Sequence, residues 1–349
     1  MRAVVIHAPH DLRIEAFPGE DATPGPNDVR VRMTAGGICG SDLHYYHHGG
    51  FGVVRVREPM TLGHEAAGIV EAVGANVVHV KPGDLVAVNP SRPCGVCPSC
   101  QRGNRIHCEN MFFNGSAMRF PHAQGLFREF VTVPGKQAFR LDANRVSAAE
   151  AALCEPFSVC LHAAAQAGDL SGKTVLVSGA GPIGVLSAVA AKLGGAKQVI
   201  ATDITAHSLA MAARFGCDPC LDVSAGPEVL APYTEGRGQI DVVFECSGNP
   251  RAIASVVATL KPRGTMVLVG LGGDVMMPMN MIVTKELTVV GTFRFDQEFA
   301  RAAELISSGA VDLKALISGQ YPMADAVTAF ETASDRTRAT KVVLNLAGA

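Results

Sequence analysis

Gly179-Ala180-Gly181-Pro182-Ile183-Gly184 directly follows the apolar run Thr174–Ser178 and opens a second apolar run that reaches Leu193. A G-x-G-x-x-G pattern is weak by itself. Between a strand and a helix it is restrictive, because its glycines allow a tight turn and close backbone approach while the helix N-terminus attracts a pyrophosphate. The competing reading is a structural Gly-rich turn in a sheet that binds no nucleotide. The next strand ends at Asp203, nineteen residues past Gly184. A carboxylate there accepts hydrogen bonds from ribose hydroxyls and repels a 2′-phosphate, so NAD is expected over NADP. His207, four residues on, keeps NADP open.

The alternation continues beyond that motif. Pro182–Leu193, Ser208–Phe215 and a segment around Ala252–Leu260 read as helices; Gln198–Asp203, Asp241–Cys246 and Thr265–Val269 read as strands. Apolar strands alternating with helices call for a parallel sheet covered on both faces. Up to about Arg145 the texture differs. Short β-branched runs at Ala3–Ile6, Val29–Met33, Ala67–Val73, Leu85–Asn89 and Phe127–Val133, separated by Gly and Pro, read as a β-rich barrel or sandwich. At 349 residues the chain is long for one core. The expected class is α/β: a Rossmann-type doubly wound parallel sheet plus a β-rich domain. The expected boundaries are 1–150 for the β-rich domain, 151–292 for the nucleotide domain and 293–349 for a C-terminal segment that returns to the first. That segment carries a helix at Glu298–Ser308 and a closing strand at Lys341–Leu346.

A formal net charge of −2 and the absence of any like-charge run argue against a nucleic-acid partner. No stretch approaches the ~18 apolar residues of a membrane helix, and Met1–His10 lacks the apolar core of a signal peptide. A cytoplasmic protein without a membrane partner is expected.

Cys94, Cys97, Cys100 and Cys108 form a C-x2-C-x2-C-x7-C cluster stiffened by Pro93, Gly95 and Pro98. Four thiolates so close in sequence suit a closed, tetrahedral, structural Zn2+ site. Two disulfides are the alternative, disfavoured because ten cysteines in this length make no disulfide scaffold. Such a site holds a lobe together and leaves no position for chemistry. Cys39, in GGICGSDLH, and His64-Glu65, in LGHEAAGIVEAVG, precede it. A lone Cys or His is more often packing than ligand, but a nicotinamide site needs something to polarise an alcohol, and zinc with an open position does so. Glu155, in ALCEPFSVC where the two textures meet, adds a carboxylate. Cys217, Cys220, Cys154, Cys160 and Cys246 read as packing residues.

CGSD at Cys39–Asp42, G-H-E-x2-G-x5-G at Gly63–Gly74, the Cys94–Cys108 lobe, Glu155-Pro156 and GAGPIG together carry a resemblance over nearly the full length. The chain resembles the zinc-containing medium-chain alcohol dehydrogenases, in their polyol and aldonate branch. The resemblance implies a GroES-like fold for the β-rich domain and two zinc ions per chain, one catalytic and one structural. Cys39, His64 and Glu65 match the catalytic-zinc ligands of that branch, with Glu155 binding directly or through water. Asp42 matches a partner that fixes the His64 ring, which also makes physical sense. Ser41 and His44 match a proton relay; for His44 a surface role is the alternative. Val269 and Phe293 join Gly179–Gly184 and Asp203 on the cofactor.

The reaction so implied is hydride transfer from an alcohol to NAD. The segments Phe112–Gly125 and Gly291–Phe299 resemble the aldonate-oxidising members, whose carboxylate substrate needs a cation. Arg119, His122 and Arg294 are the candidates, a solvated loop being the plainer reading of Arg119, and Tyr45 matches a substrate-contact aromatic. An uncharged polyol such as sorbitol or xylitol is the alternative substrate. A non-catalytic zinc- and nucleotide-binding protein is the alternative of another class. Relatives imply a homo-oligomer, tetramer or dimer.

Overall fold

Strands Thr174–Ser178, Gln198–Asp203, Cys220–Asp222, Ile240–Glu245, Leu260–Leu268 and Thr288–Gly291 pair in parallel as one six-stranded sheet. Numbered by sequence within this sheet, their spatial order is 3-2-1-4-5-6. That order reverses between Thr174–Ser178 and Ile240–Glu245, and a nucleotide crevice lies at such a reversal. The inner strands are buried on both faces, which is why their sequences are runs such as TVLVS and IDVVFE rather than alternations. Helix Pro182–Leu193 follows the first strand and packs against the sheet.

This computed structural model describes residues 1–18 and 23–347. The chain divides into two units: residues 156–295 with 336–340 around the parallel sheet, and residues 1–155, 296–335 and 341–349 around another.

The second unit is β-rich. Its seven-stranded sheet runs in the order Ala138–Leu141, Leu85–Val88, Glu65–Val73, Asp28–Gly37, Lys341–Asn345 and Ile317–Pro322, with Phe130–Pro134 also pairing with Asp28–Gly37. All pairings are antiparallel except that between the last two strands of the order. Strand Lys341–Asn345 therefore lies beside Asp28–Gly37, far from it in sequence, and fixes Lys341 next to the start of strand Glu65–Val73. Among the helices of this unit, one bears on the site. Gly40–His48 starts at Cys39, whose backbone N–H donates to Asp42 Oδ2 at 3.0 Å, and ends at Gly49 in the left-handed conformation (φ 66°). Among the described residues no helix is long and apolar enough to cross a membrane.

Candidate metal centres and cofactor cradle

The sulfurs of Cys94, Cys97, Cys100 and Cys108 all lie within 4.8 Å of one another, and those of Cys97 and Cys108 are 3.9 Å apart. Sulfurs at ~2.3 Å from a tetrahedral zinc sit roughly 3.8 Å apart, so this set fits that ion. None of the ten cysteines is in a disulfide. Backbone N–H groups of Cys94 and Cys97 donate to the sulfurs of Cys108 and Cys94 at 3.2 and 3.4 Å. Backbone donation from Val96 and Cys97 pulls the Cys94 thiol down to about 6, whereas burial pushes Cys100 up to about 12. A thiol with that bias becomes a thiolate at neutral pH when a cation is beside it.

A second cluster forms where the Gly40–His48 helix meets the start of strand Glu65–Val73. Cys39, His64 and Glu65 each bring one ligand atom within 4.8 Å of the others, and His64 and Glu65 are buried. Asp42, fully buried, ties the cluster together. Its two oxygens accept from the Cys39 and Gly63 backbones, and Oδ1 lies 3.8 Å from His64 Nδ1. That nitrogen has no hydrogen-bond partner among the described residues. It faces Asp42, an orientation that leaves Nε2 to a metal. Burial, then Glu65, pushes the Cys39 thiol up to about 12, and burial pushes Glu155 up to about 8. Glu155 is buried among the same charges but is not one of the three groups that share the 4.8 Å set. This donor set is soft sulfur, imidazole and carboxylate, and it fits zinc with an open position.

Lys341 is the residue that sequence reasoning missed. Its Nζ donates to both Glu65 oxygens at 2.7 and 2.9 Å and to the Ile38 carbonyl at 3.0 Å, with side chains 3% and 1% exposed. The ammonium holds Glu65 while the carboxylate faces the cluster. Gly37 is paired with Glu65 across the sheet, and a Cβ there would come within 2.3 Å of the carboxylate. The one signal in the sequence is a lysine opening the strand-like run KVVLNL, ahead of three apolar residues.

Ser41 is half-buried beside Cys39, and His44 is exposed one turn along the same helix face. Tyr45 is buried and its hydroxyl accepts from the Ala117 N–H at 3.1 Å, so it forms a wall of the fold.

In the parallel-sheet unit, Gly179 has φ 89°, and a Cβ on Gly184 would come within 1.9 Å of the Gly179 carbonyl. A Cβ on Gly181 would meet nothing within 4 Å. Gly181 also caps the Pro182–Leu193 helix without a side-chain partner for its free N–H groups. An open approach to uncapped N–H groups is what a pyrophosphate needs. Asp203 closes the loop: Oδ2 accepts from the Ala180 N–H at 2.8 Å, and Oδ1 from Ile204 and Thr205. His207 instead pairs with Thr340 Oγ1 at 3.0 Å. Val269 is half-buried, with its N–H on the Glu245 carbonyl, and Phe293 is 37% exposed with the Arg294 guanidinium 4.8 Å over its ring.

Two of the three cations expected to meet a substrate carboxylate, His122 and Arg119, make local contacts in the β-rich unit. His122 is buried; Nε2 accepts from the Arg57 N–H at 2.9 Å and Nδ1 lies 2.8 Å from the Arg119 carbonyl. Both ring nitrogens are thus taken up by backbone groups. Phe112 and Phe113 form a short strand, whose side chains alternate. Phe113 packs on His64 with ring centroids 5.7 Å apart, whereas Arg119 lies over Phe112, on the opposite face. Strand alternation thus puts Arg119 beside Phe112 and not beside the Phe113 ring that packs on His64.

Residues 25–143 match the profile of the alcohol dehydrogenase GroES-like domain, and residues 182–308 that of the zinc-binding dehydrogenases. The chain is 39% identical over 319 residues to L-idonate 5-dehydrogenase (NAD(P)(+)) of Escherichia coli strain K12, spanning 91% of this chain and 92% of that one. The chain belongs to the zinc-containing medium-chain alcohol dehydrogenases. Within the family it is also 38% identical over 334 residues to sorbitol dehydrogenase of Bos taurus, covering 95% and 92% of the two chains. The crystal structure of L-idonate 5-dehydrogenase from E. coli K-12 superposes with a TM-score of 0.93 at 36% identity, covering 99% and 97%. The family membership makes the protein an oxidoreductase of the CH–OH group, with a small-molecule substrate.

Proposed function

We propose that the protein is a zinc-dependent, NAD-linked dehydrogenase that oxidises L-idonate at C5 to 5-keto-D-gluconate. The observation that carries the dehydrogenase reading is the buried Cys39–His64–Glu65 cluster, held by Asp42 and Lys341 in a chain of this family. Cys39, His64 and Glu65 would hold the catalytic zinc, with Glu155 beside them, and the four-cysteine lobe a second, structural zinc. Gly179–Gly184 and Asp203 would hold the dinucleotide, Val269 and Phe293 would border it, and Arg294 would meet the substrate carboxylate. Bound zinc supplies a Lewis acid that lowers the pKa of a substrate hydroxyl, and bound nicotinamide supplies a hydride acceptor. Ser41 would take the hydroxyl proton and pass it to His44. The supporting geometry is their i, i+3 spacing, from a half-buried to an exposed position on one helix.

A polyol such as sorbitol is the second reading. What supports it is that both ring nitrogens of His122 already meet backbone groups. Initial rates with NAD and with NADP, on L-idonate and on sorbitol, decide between them. We expect kcat/KM for idonate to lead by about a hundredfold, ~2.7 kcal/mol of transition-state discrimination. Equal or higher values on sorbitol would transfer the assignment to the polyol. Asp203, already anchored over the glycine loop, predicts higher kcat/KM with NAD.

We also propose a homo-oligomer. Strand Thr288–Gly291 forms one edge of the parallel sheet with Val289 37% exposed, and Met276, Met279 and Val283 stand exposed nearby in sequence. An open apolar edge of this kind is a template for strand addition. Light scattering should give a mass at least twice that of the chain, and Val289→Lys should lower it; a monomeric wild type would refute this. Reduced thiols at both clusters suit a cytoplasmic setting.

A further inference from the structure

A cavity of about 690 Å³ opens beside the four-cysteine lobe, lined by Asn27, Asp28, Arg92, Phe112, Arg119 and Lys136 among others. None of the residues of the Cys39 cluster lines it. Three of its walls are cationic and one is a carboxylate. Neither Arg92, Arg119 nor Lys136 makes an ion pair with any described residue. Both guanidiniums instead lie over the ring of Phe112, with Arg92 at 4.3 Å and Arg119 at 5.3 Å from its centroid. Arg92 is placed there by the sheet, since it pairs with Phe112 across two short strands.

Stacking engages the flat face of a guanidinium and leaves its in-plane N–H groups free. Two guanidiniums lining one cavity can each engage an oxyanion through such N–H groups, and Lys136 adds a point charge from a separate segment. The volume exceeds that of a bare phosphate and lies in the range of small organic ligands. Phe112, Pro93 and Pro134 offer apolar wall, and Asn27 and Asn110 offer amide groups to hydroxyls. We infer that this cavity binds a small phosphorylated metabolite, with Arg92 and Arg119 on the phosphate and Lys136 beside it. The site is separate from the catalytic cluster and independent of the substrate assignment.

The test is calorimetric titration of the zinc-loaded enzyme, saturated with NAD, with glucose 6-phosphate as probe and glucose as control. One glucose 6-phosphate per chain is expected, with no heat from glucose. Lys136→Ala and Arg92→Ala should each weaken binding at least about tenfold, the scale of one lost charge-assisted hydrogen bond, at unchanged zinc content and turnover. Arg92 adjoins the cysteine lobe, so Lys136→Ala, outside it, keeps the test valid if Arg92→Ala misfolds. Absence of binding, or unaltered affinity in the Lys136→Ala enzyme, overturns the proposal. So does a wild type that ignores the probe while Arg92→Ala sheds zinc; the guanidiniums would then merely balance the thiolate lobe.

Discussion

Cys39→Ala is expected to lower zinc content by one ion per chain, the ion proposed for the Cys39 cluster, and to reduce turnover at least about a thousandfold. The magnitude follows from the chemistry that the cluster supports. A Lewis acid stabilises developing alkoxide charge by several kcal/mol, and about 4 kcal/mol corresponds to three decades in rate. The fold should survive. Cys39 is half-buried at a helix cap, and the Asp42 oxygen that fixes this helix bonds the backbone of residue 39, which alanine keeps. Cys100→Ala should behave in the opposite way. It removes a ligand from a closed site whose metal contributes folding energy, so it should cost stability while leaving residual turnover in whatever remains folded. Elemental analysis, thermal unfolding and initial rates on both variants separate the two roles. If Cys39→Ala keeps both zinc ions and its activity, the assignment of the catalytic centre fails.

The parts of this molecule that could be read in sequence are those in which a local pattern is itself the constraint. The glycine loop is one, because close approach at Gly184 excludes any side chain whatever the rest of the fold does. The cysteine lobe is another, its ligands lying within fifteen residues. The apolar runs of the parallel sheet were legible for the same reason, and helix Glu298–Ser308 has the boundaries its pattern implies. The Gly40–His48 helix was not legible. GSDLHYYHH has no apolar period, and the helix is set by the Asp42 cap and the left-handed Gly49. Strand Thr288–Gly291 was missed too, since its outward side chains lack the burial that makes a strand conspicuous. At the site, Cys39 and His64 stand in motifs, but which ring Arg119 meets depends on the pleat of a two-residue strand. His122 was read as a candidate cation from its type alone; its backbone partners at both ring nitrogens, one of them 65 residues away, leave no local pattern.

Lys341 shows the same limit most sharply, and replacing it carries the second large effect. Its ammonium and the Glu65 carboxylate are separated by 276 residues in sequence and by 2.7 Å in space, and both are buried. Desolvation alone would lower the Lys341 pKa; the nearby Glu65 carboxylate, followed by Cys39, outweighs it and raises the pKa above the ordinary lysine value. The charge therefore persists throughout the range in which a dehydrogenase works. Lys341→Met leaves Glu65 buried without its cation, close to Asp42 and Glu155. Stripping one partner from a buried pair costs about 3–5 kcal/mol, whereas exchanging both for apolar residues of similar volume is often neutral. The expected result is thus a pair of measurements. In zinc-free protein, Lys341→Met should lose about that much in chemical denaturation, and Lys341→Met with Glu65→Met should regain most of it. Zinc should partly restore the single variant, because the metal gives the orphaned carboxylate a new cation, and should restore the double variant less. Equal losses in the single and double variants would mean that Lys341 acts through packing, and that Glu65 is held in place by the strand pairing with Gly37 alone.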